Sequence, residues 1–211
     1  MSPNCLVSLA LSVPLIAKSD KHDDVVAFLK KGAELVVSGE PETIQWYGVK
    51  FTDSDTFAVI DAFRNDAGRE AHLAGQVAGA LNANAATLLA SDPQIAKAAI
   101  IANKVDPLKP ATIGVRVLLT PKPGQTNALR DFLAGDAERA LVEEEDFMPL
   151  WYAVEFPADK FAIIEFFEDE AARGKHLAGK VRAALFANAD KLLGAAPEIA
   201  RFEVIASSVK F

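Results

Sequence analysis

The sequence predicts an α+β protein in which two ferredoxin-like β-α-β-β-α-β units pack sheet to sheet within one chain. Three observations carry that prediction. The first is an internal repeat: Arg69-Glu70-Ala71-His72-Leu73-Ala74-Gly75 returns as Arg173-Gly174-Lys175-His176-Leu177-Ala178-Gly179. Phe57 to Lys97 aligns with Phe161 to Arg201 without a gap, about half of the positions are identical, and a spacing of about 100 residues suits a domain with its own core. The second is that strand-like and helix-like segments follow in the same order in both halves. The third is physical: a four-stranded sheet with helices on one side leaves its other face apolar and open, and duplication supplies a second such face to cover it. The expected division is a first unit over 1–105, a linker over 106–111 and a second unit over 112–211.

Each element follows from local chemistry. The apolar run from Cys5 to Pro14 reads as a first strand and not as a signal peptide, because it lacks a basic leader and has a counterpart, Ile113 to Pro121, inside the chain. Ser19 or Asp20 is placed to cap a helix whose Val25, Phe28, Leu29, Gly32 and Val36 recur at helical spacing. Thr43 to Phe51 has strand composition, and residues 52–55 make a turn. From Phe57 to Phe63 the alternation puts Phe57, Val59, Asp61 and Phe63 on one face and Ala58, Ile60 and Ala62 on the other. Asn65 is placed to cap the helix that carries His72, with Leu73, Val77, Ala80, Leu81 and Leu88 as its apolar stripe and a break expected near Asn82. Asp92-Pro93 stops that helix, and Ala98 to Ala102 is the last strand. The second half repeats the order: strand 113–120, helix from Thr126, strands 148–156 and 160–167, helix 170–193, strand 200–209.

Composition narrows the partners. A chain of 211 residues that is 51% apolar can fill two cores. A net charge of −7 without a basic cluster argues against nucleic acid and for a small-molecule or protein partner. Cys5 is the single cysteine, so no disulfide forms within the chain and no thiolate metal cluster is possible; a cytoplasmic setting fits. No run of ~18 apolar residues is present, so no membrane span is expected. His22, His72 and His176 form no ligand pair at helical spacing, and no glycine-rich phosphate loop follows a strand, so neither a metal nor a nucleotide cofactor is expected.

The repeated residues resemble a family. Asp61-Ala62-Phe63, Ala67, His72-Leu73-Ala74-Gly75 and Pro93, with Glu165-Phe166-Phe167, Ala171, His176-Leu177-Ala178-Gly179 and Pro197, are similar to the antibiotic biosynthesis monooxygenase domain of the dimeric α+β barrel superfamily. The family pattern often has tryptophan where Phe63 and Phe167 stand, and serine where Gly75 and Gly179 stand. The resemblance implies an intrachain pseudo-dimer, open to a further homodimer. It also implies a pocket in each unit and oxygenation of a quinol, anthrone or related polycyclic phenol without a cofactor. Relatives instead bind or degrade haem, or are non-catalytic small-molecule-binding or stress-related barrels.

A cofactor-free oxygenase needs a base and an anion stabiliser. His72 and His176 titrate near neutrality, and Arg69 and Arg173 stand one helical turn before them; the competing reading is a histidine bonded to a neighbouring carbonyl and a surface ion pair. Asp61 and Glu165 are acids on an aromatic face, where desolvation raises a carboxyl, or else salt-bridged residues at a barrel rim. Trp46, Tyr47, Phe63, Trp151, Tyr152 and Phe167 supply flat walls for an aromatic substrate or fill the packing between sheets. Asn84 and Asn188 fall in an apolar stripe, where a buried amide orients a ligand or caps a break. Phe166 and Phe186 replace Ala62 and Asn82, so the first unit is expected to hold the larger cavity.

Overall fold

The computed structural model describes residues 7–210. The first repeat contributes β1 (Leu9–Ile16), α1 (His22–Gly39), β2 (Thr43–Phe51), β3 (Thr56–Phe63), α2 (Asp66–Leu73), α3 (Gln76–Leu88) and β4 (Ala96–Val105). The second contributes β5 (Ile113–Leu119), α4 (Thr126–Ala134), α5 (Asp136–Glu144), β6 (Leu150–Phe156), β7 (Lys160–Phe167), α6 (Glu170–Leu177), α7 (Lys180–Leu192) and β8 (Glu198–Val209). The strand order is β1-β3-β2-β8 in one group of four and β5-β7-β6-β4 in the other. The part of the expected first strand that precedes residue 7 lies outside the described residues.

Two compact units exist, but their membership departs from the repeat boundaries at the last strands. One unit runs up to Ala98 and takes in Phe202 onward; the other spans Ala99–Arg201. In the first, β1 and β2 flank β3, and β2 also pairs antiparallel with β8, with Trp46 opposite Ser208. In the second, β5 and β6 flank β7, and β6 pairs with β4, with Trp151 opposite Lys104. Each repeat therefore gives its final strand to the unit built by the other.

The exchanged strands also finish the helices they meet. Neither α1 nor α5 has a basic residue in its last turn. Lys210 Nζ donates to the carbonyls of Val36, at 3.0 Å, and Glu40 at the end of α1; Lys104 Nζ donates to those of Val142 and Glu145, at 3.0 and 2.7 Å, at the end of α5. These carbonyls lie at the helix ends and carry the negative end of the helix dipole, so an ammonium suits them.

Each core lies between helices and one sheet face. In the first unit Leu11, Val13, Leu29, Trp46, Phe57, Val59 and Phe63 cluster with Val77 of α3. In the second, Val115, Leu129, Trp151, Phe161, Ile163 and Phe167 cluster with Val181 and Leu185. The strand alternation expected around Asp61 is thus present, with the acid on the helix-facing side.

Helix ends differ from expectation in three places. The first helix begins at His22 behind Lys21, without a side-chain cap from Ser19 or Asp20. The helix that carries His72 breaks at Ala74-Gly75 and not near Asn82, and its twin breaks at Ala178-Gly179. The helix from Thr126 is divided at Gly135. Asn65 does cap α2, accepting from the Gly68 N–H at 3.0 Å, and Asp169 caps α6 from the Ala172 N–H at 2.8 Å.

Candidate functional site

The two breaks after the histidines exist to seat a carboxylate. Gly75 has φ −85°, which any residue adopts, so conformational freedom is not the reason for glycine there. A Cβ at Gly75 would lie 2.5 Å from Glu40 Oε1, and one at Gly179 2.5 Å from Glu145 Oε1. Any side chain at either glycine would force the glutamate carboxylate to move. Gly75 begins α3 without a side-chain cap of its own, and Glu40 Oε1 accepts the Val77 N–H at 3.1 Å in its place.

Each glutamate is one arm of a buried carboxylate–imidazole–carboxylate group. His72 Nδ1 meets Glu40 Oε2 at 2.6 Å, and His72 Nε2 meets Asp61 Oδ2 at 3.2 Å. Thr43 Oγ1 bonds to Glu40 Oε2 at 3.2 Å and approaches His72 Nδ1 at 3.3 Å. In the second unit His176 Nδ1 meets Glu145 Oε2 at 2.7 Å and Nε2 meets Glu165 Oε1 at 3.2 Å. Phe63 and Phe167 stack tilted on the imidazoles, with centroids 5.4 and 5.2 Å away. All six ionisable side chains are buried.

Burial alone would lower the histidine pKa values, but the paired carboxylates outweigh it and raise His72 and His176 to about 10. At neutral pH each imidazole already holds the proton that a base would accept, which corrects the base role that residue type suggested. Burial pushes the Asp61 carboxyl up, and His72 pulls against it without reversing the direction. For Glu40, burial is outweighed by hydrogen bonds from His72, Val77 N–H and Thr43 and by the His72 charge, so its carboxyl lies below the usual range.

The units differ at one further acid. Glu138 of α5 is 2% exposed, and its Oε1 has no hydrogen-bond partner among the described residues. Burial and the charges of Glu165 and Glu145 push its carboxyl up to about 7, with His176 opposing. By the Glu40/Glu145 and Trp46/Trp151 spacing, the first unit has Ala33 there.

A cavity of ≈ 30 Å³ reaches the second group. Val115, Val117, Ile163, Val181 and Leu185 form its apolar wall, Glu165 and His176 its polar end, and Arg182 and Phe186 its rim. The second unit thus has a cavity in spite of the two added rings. Phe166 pairs with Gly114 and Leu150 on the sheet face opposite Glu165, and Phe186 is 42% exposed, so neither ring fills the space.

The other expected site residues have these places. Arg69 pairs with Asp66 and Arg173 with Glu170, each at 2.5 Å, within α2 and α6. Trp46 and Trp151 are fully buried in the helix-side cores, with a Cβ at Gly32 reaching only 3.0 Å from the Trp46 ring. Tyr47 and Tyr152 are buried on the opposite strand face, so the paired aromatics do not make one wall. Asn84 is exposed and donates to the Ala80 carbonyl at 2.8 Å; Asn188 is half-buried and donates to that of Ala184 at 2.9 Å. Neither is the buried amide that the stripe suggested, because the Gly75 and Gly179 breaks turn the following helices.

Residue reading missed Glu40, Glu145 and Glu138. The first two had a signal: each stands before a Trp-Tyr pair at the same spacing. Haem does not fit these histidines, because both nitrogens of each ring face carboxylates at 2.6–3.2 Å. Among the described residues no group of three or more His, Cys, Asp or Glu is arranged to hold a metal ion, and no helix is long and apolar enough to cross a membrane.

No family model and no curated protein matches the sequence. Solved structures do. A protein provisionally named a monooxygenase, from Fusobacterium nucleatum subsp. nucleatum, matches with TM-score 0.84 over 98% of this chain and 96% of its own, at 14% identity. An anthrone oxidase-like protein matches with TM-score 0.66 over 99% and 95%, at 10% identity. A ferredoxin-fold protein from Listeria monocytogenes, described as related to antibiotic biosynthesis monooxygenases, matches with TM-score 0.54 over 94% and 96%, at 9% identity. A protein of unknown function from Nitrosomonas europaea is 46% identical over 48% of this chain and 96% of its own, with TM-score 0.45.

Proposed function

We propose that this chain, which has the fold of the antibiotic biosynthesis monooxygenase-like dimeric α+β barrels, is a cofactor-independent monooxygenase acting on a quinol, anthrone or related polycyclic phenol. The observation that carries the reading is the buried pair Glu165 and His176 at the polar end of an apolar cavity in the second unit; at ≈ 30 Å³, against ~300–1,000 Å³ for ligand pockets, that cavity has to widen to admit the rings of the substrate.

The roles follow from charge. Glu165 lines the cavity and accepts the proton that the substrate loses. His176, already protonated, stabilises the substrate anion and then the peroxide that forms when that anion reduces dioxygen. Glu145 fixes the imidazole through Nδ1. The O–O bond then breaks; one oxygen stays on the substrate carbon as a carbonyl and the other leaves as water with two hydrogens of the substrate, both from the CH2 of an anthrone, or one from the ring carbon and one from the hydroxyl of a phenol. In the first unit Glu40 both holds His72 and caps α3, which favours a second reading for that group, a pin joining α1, β3 and α3.

Oxygen uptake with a panel of hydroquinones and anthrones in metal-free buffer tests the proposal. Uptake should fall by ~10²–10⁴-fold in Glu165→Gln, with the folded fraction preserved. Binding of aromatic ligands without uptake on any member of the panel would overturn catalysis and leave a small-molecule-binding barrel.

A further inference from the structure

The helix that follows the His176 break carries an exposed stripe that its twin in the first repeat lacks. Along α7, Arg182, Phe186 and Asp190 recur every fourth residue, so they share one helix face, and all three are exposed, Phe186 to 42%. Ala183 and Ala187, also exposed, flank the phenylalanine, and such small side chains let a second helix approach closely. Within the chain the two charges are not matched. Arg182 lies over the Phe186 ring, 4.6 Å from its centroid, and donates to the Leu177 carbonyl at 3.3 Å. Neither it nor the Asp190 carboxylate has an ion-pair partner among the described residues. At the matching positions of α3 stand Ala78, Asn82 and Ala86. The first repeat thus acts as an internal control: the same helix forms without the cation, the ring or the acid, so three changes on one exposed face serve contact and not folding.

We infer that this face of α7 is a docking surface for a second copy of the chain, with the two α7 helices antiparallel about a two-fold axis at Phe186. The spacing selects that partner. Arg182 and Asp190 stand four residues on either side of Phe186, so in an antiparallel pair each arginine meets the aspartate of the other copy and the two phenylalanines meet at the axis. A parallel pair would set arginine against arginine and acid against acid. Ile199 of β8, 49% exposed, lies with Phe186 at the rim of the cavity and extends the apolar contact. Arg182 is at that rim too, so a second copy seated on these residues adds to the boundary of the cavity. Two chains of net charge −7 repel, and opposite charges matched across the contact offset that repulsion locally. One helix face and a strand end are small beside the roughly 1,200 Å² of a standard interface, so the association is weak and exchangeable. Assembly through this face does not depend on the proposed reaction.

Sedimentation of the full chain over a concentration series reaching hundreds of micromolar tests it, and the wild type should pass from monomer to dimer along the series. Phe186→Asn, the residue type of α3, should weaken the dimer by about 10-fold or more, since it removes the ring at the centre of the contact. Arg182→Asp and Asp190→Arg, each alone, set like charges opposite one another in both contacts and should weaken self-association by about 10-fold or more. Mixed in equal amounts, these two variants should pair with each other, because one presents two acids and the other two arginines; that recovery also shows that both are folded. A chain that stays monomeric throughout the series, a dimer that keeps its affinity in Phe186→Asn or in either charge variant, or charge variants of unchanged melting temperature that do not pair on mixing would overturn the inference.

Discussion

At the scale of single residues, the chain places acids where burial penalises them and then compensates most of them. Glu40, Asp61, Glu145 and Glu165 are each paired with a histidine, whereas Glu138 forms no ion pair among the described residues. Its pKa is raised from 4.5 to about 7, so between those values the folded chain holds a proton that the unfolded chain has released. Stability therefore falls as pH rises from about 4.5 to about 7, by on the order of 3 kcal/mol at 1.4 per unit, and stays reduced above that. The histidines act in the same direction higher up. Their stabilisation is complete below the unfolded value of 6.5 and is lost as pH rises through about 10. Glu138→Ala, the residue type of the first repeat, should raise the melting temperature at pH 8 and leave it nearly unchanged at pH 4.5. A lower melting temperature at pH 8 would show that the acid is compensated by something other than the groups named.

At the scale of elements, the last strand of each repeat completes the helix that leads to the site glutamate of the other. Lys210 holds the carbonyl of Glu40 itself, so β8 helps to fix the carboxylate on which His72 and the start of α3 depend. Burial lowers the pKa of both Lys210 and Lys104, which are nonetheless held against partial negative charge. Lys210→Met should cost about 1.5–3 kcal/mol, the range for a hydrogen bond to a charged group. Amide exchange should accelerate first at the end of α1 and at Val77. Exchange that accelerates uniformly over the chain would mean that the lysine acts on global stability and not on this helix end.

At the scale of the whole molecule, strand exchange changes what a half chain can do. Residues 1–105 keep β4 but lack Phe202 onward, which pairs with β2 and buries Phe202 completely. An unpaired β2 edge beside an apolar face is a template for association. The half should form a homodimer in which the β4 of each copy takes the place of β8 on the β2 of the other, or it should aggregate. Sedimentation decides this: a soluble, folded monomer of 1–105 would show that the exchanged strand is dispensable.

What the sequence determined by itself was local or repeated. The duplication, the strand spanning Thr43–Phe51, the alternation around Asp61 and the Asn65 cap all rest on neighbours within a few residues, or on one pattern written twice. The tertiary structure decided what depends on residues far apart in the chain. It brought Glu40 to His72 and Glu145 to His176, and thereby broke two helices at glycines that local propensity passes over. It also turned the histidines from bases into cations, because a pKa is set by every charge within a few ångströms and spacing along one helix cannot reveal a carboxylate arriving from another. It sent β4 and β8 across to the unit of the other repeat, a choice that depends on pairing between residues far apart in the chain and leaves no mark in the local pattern.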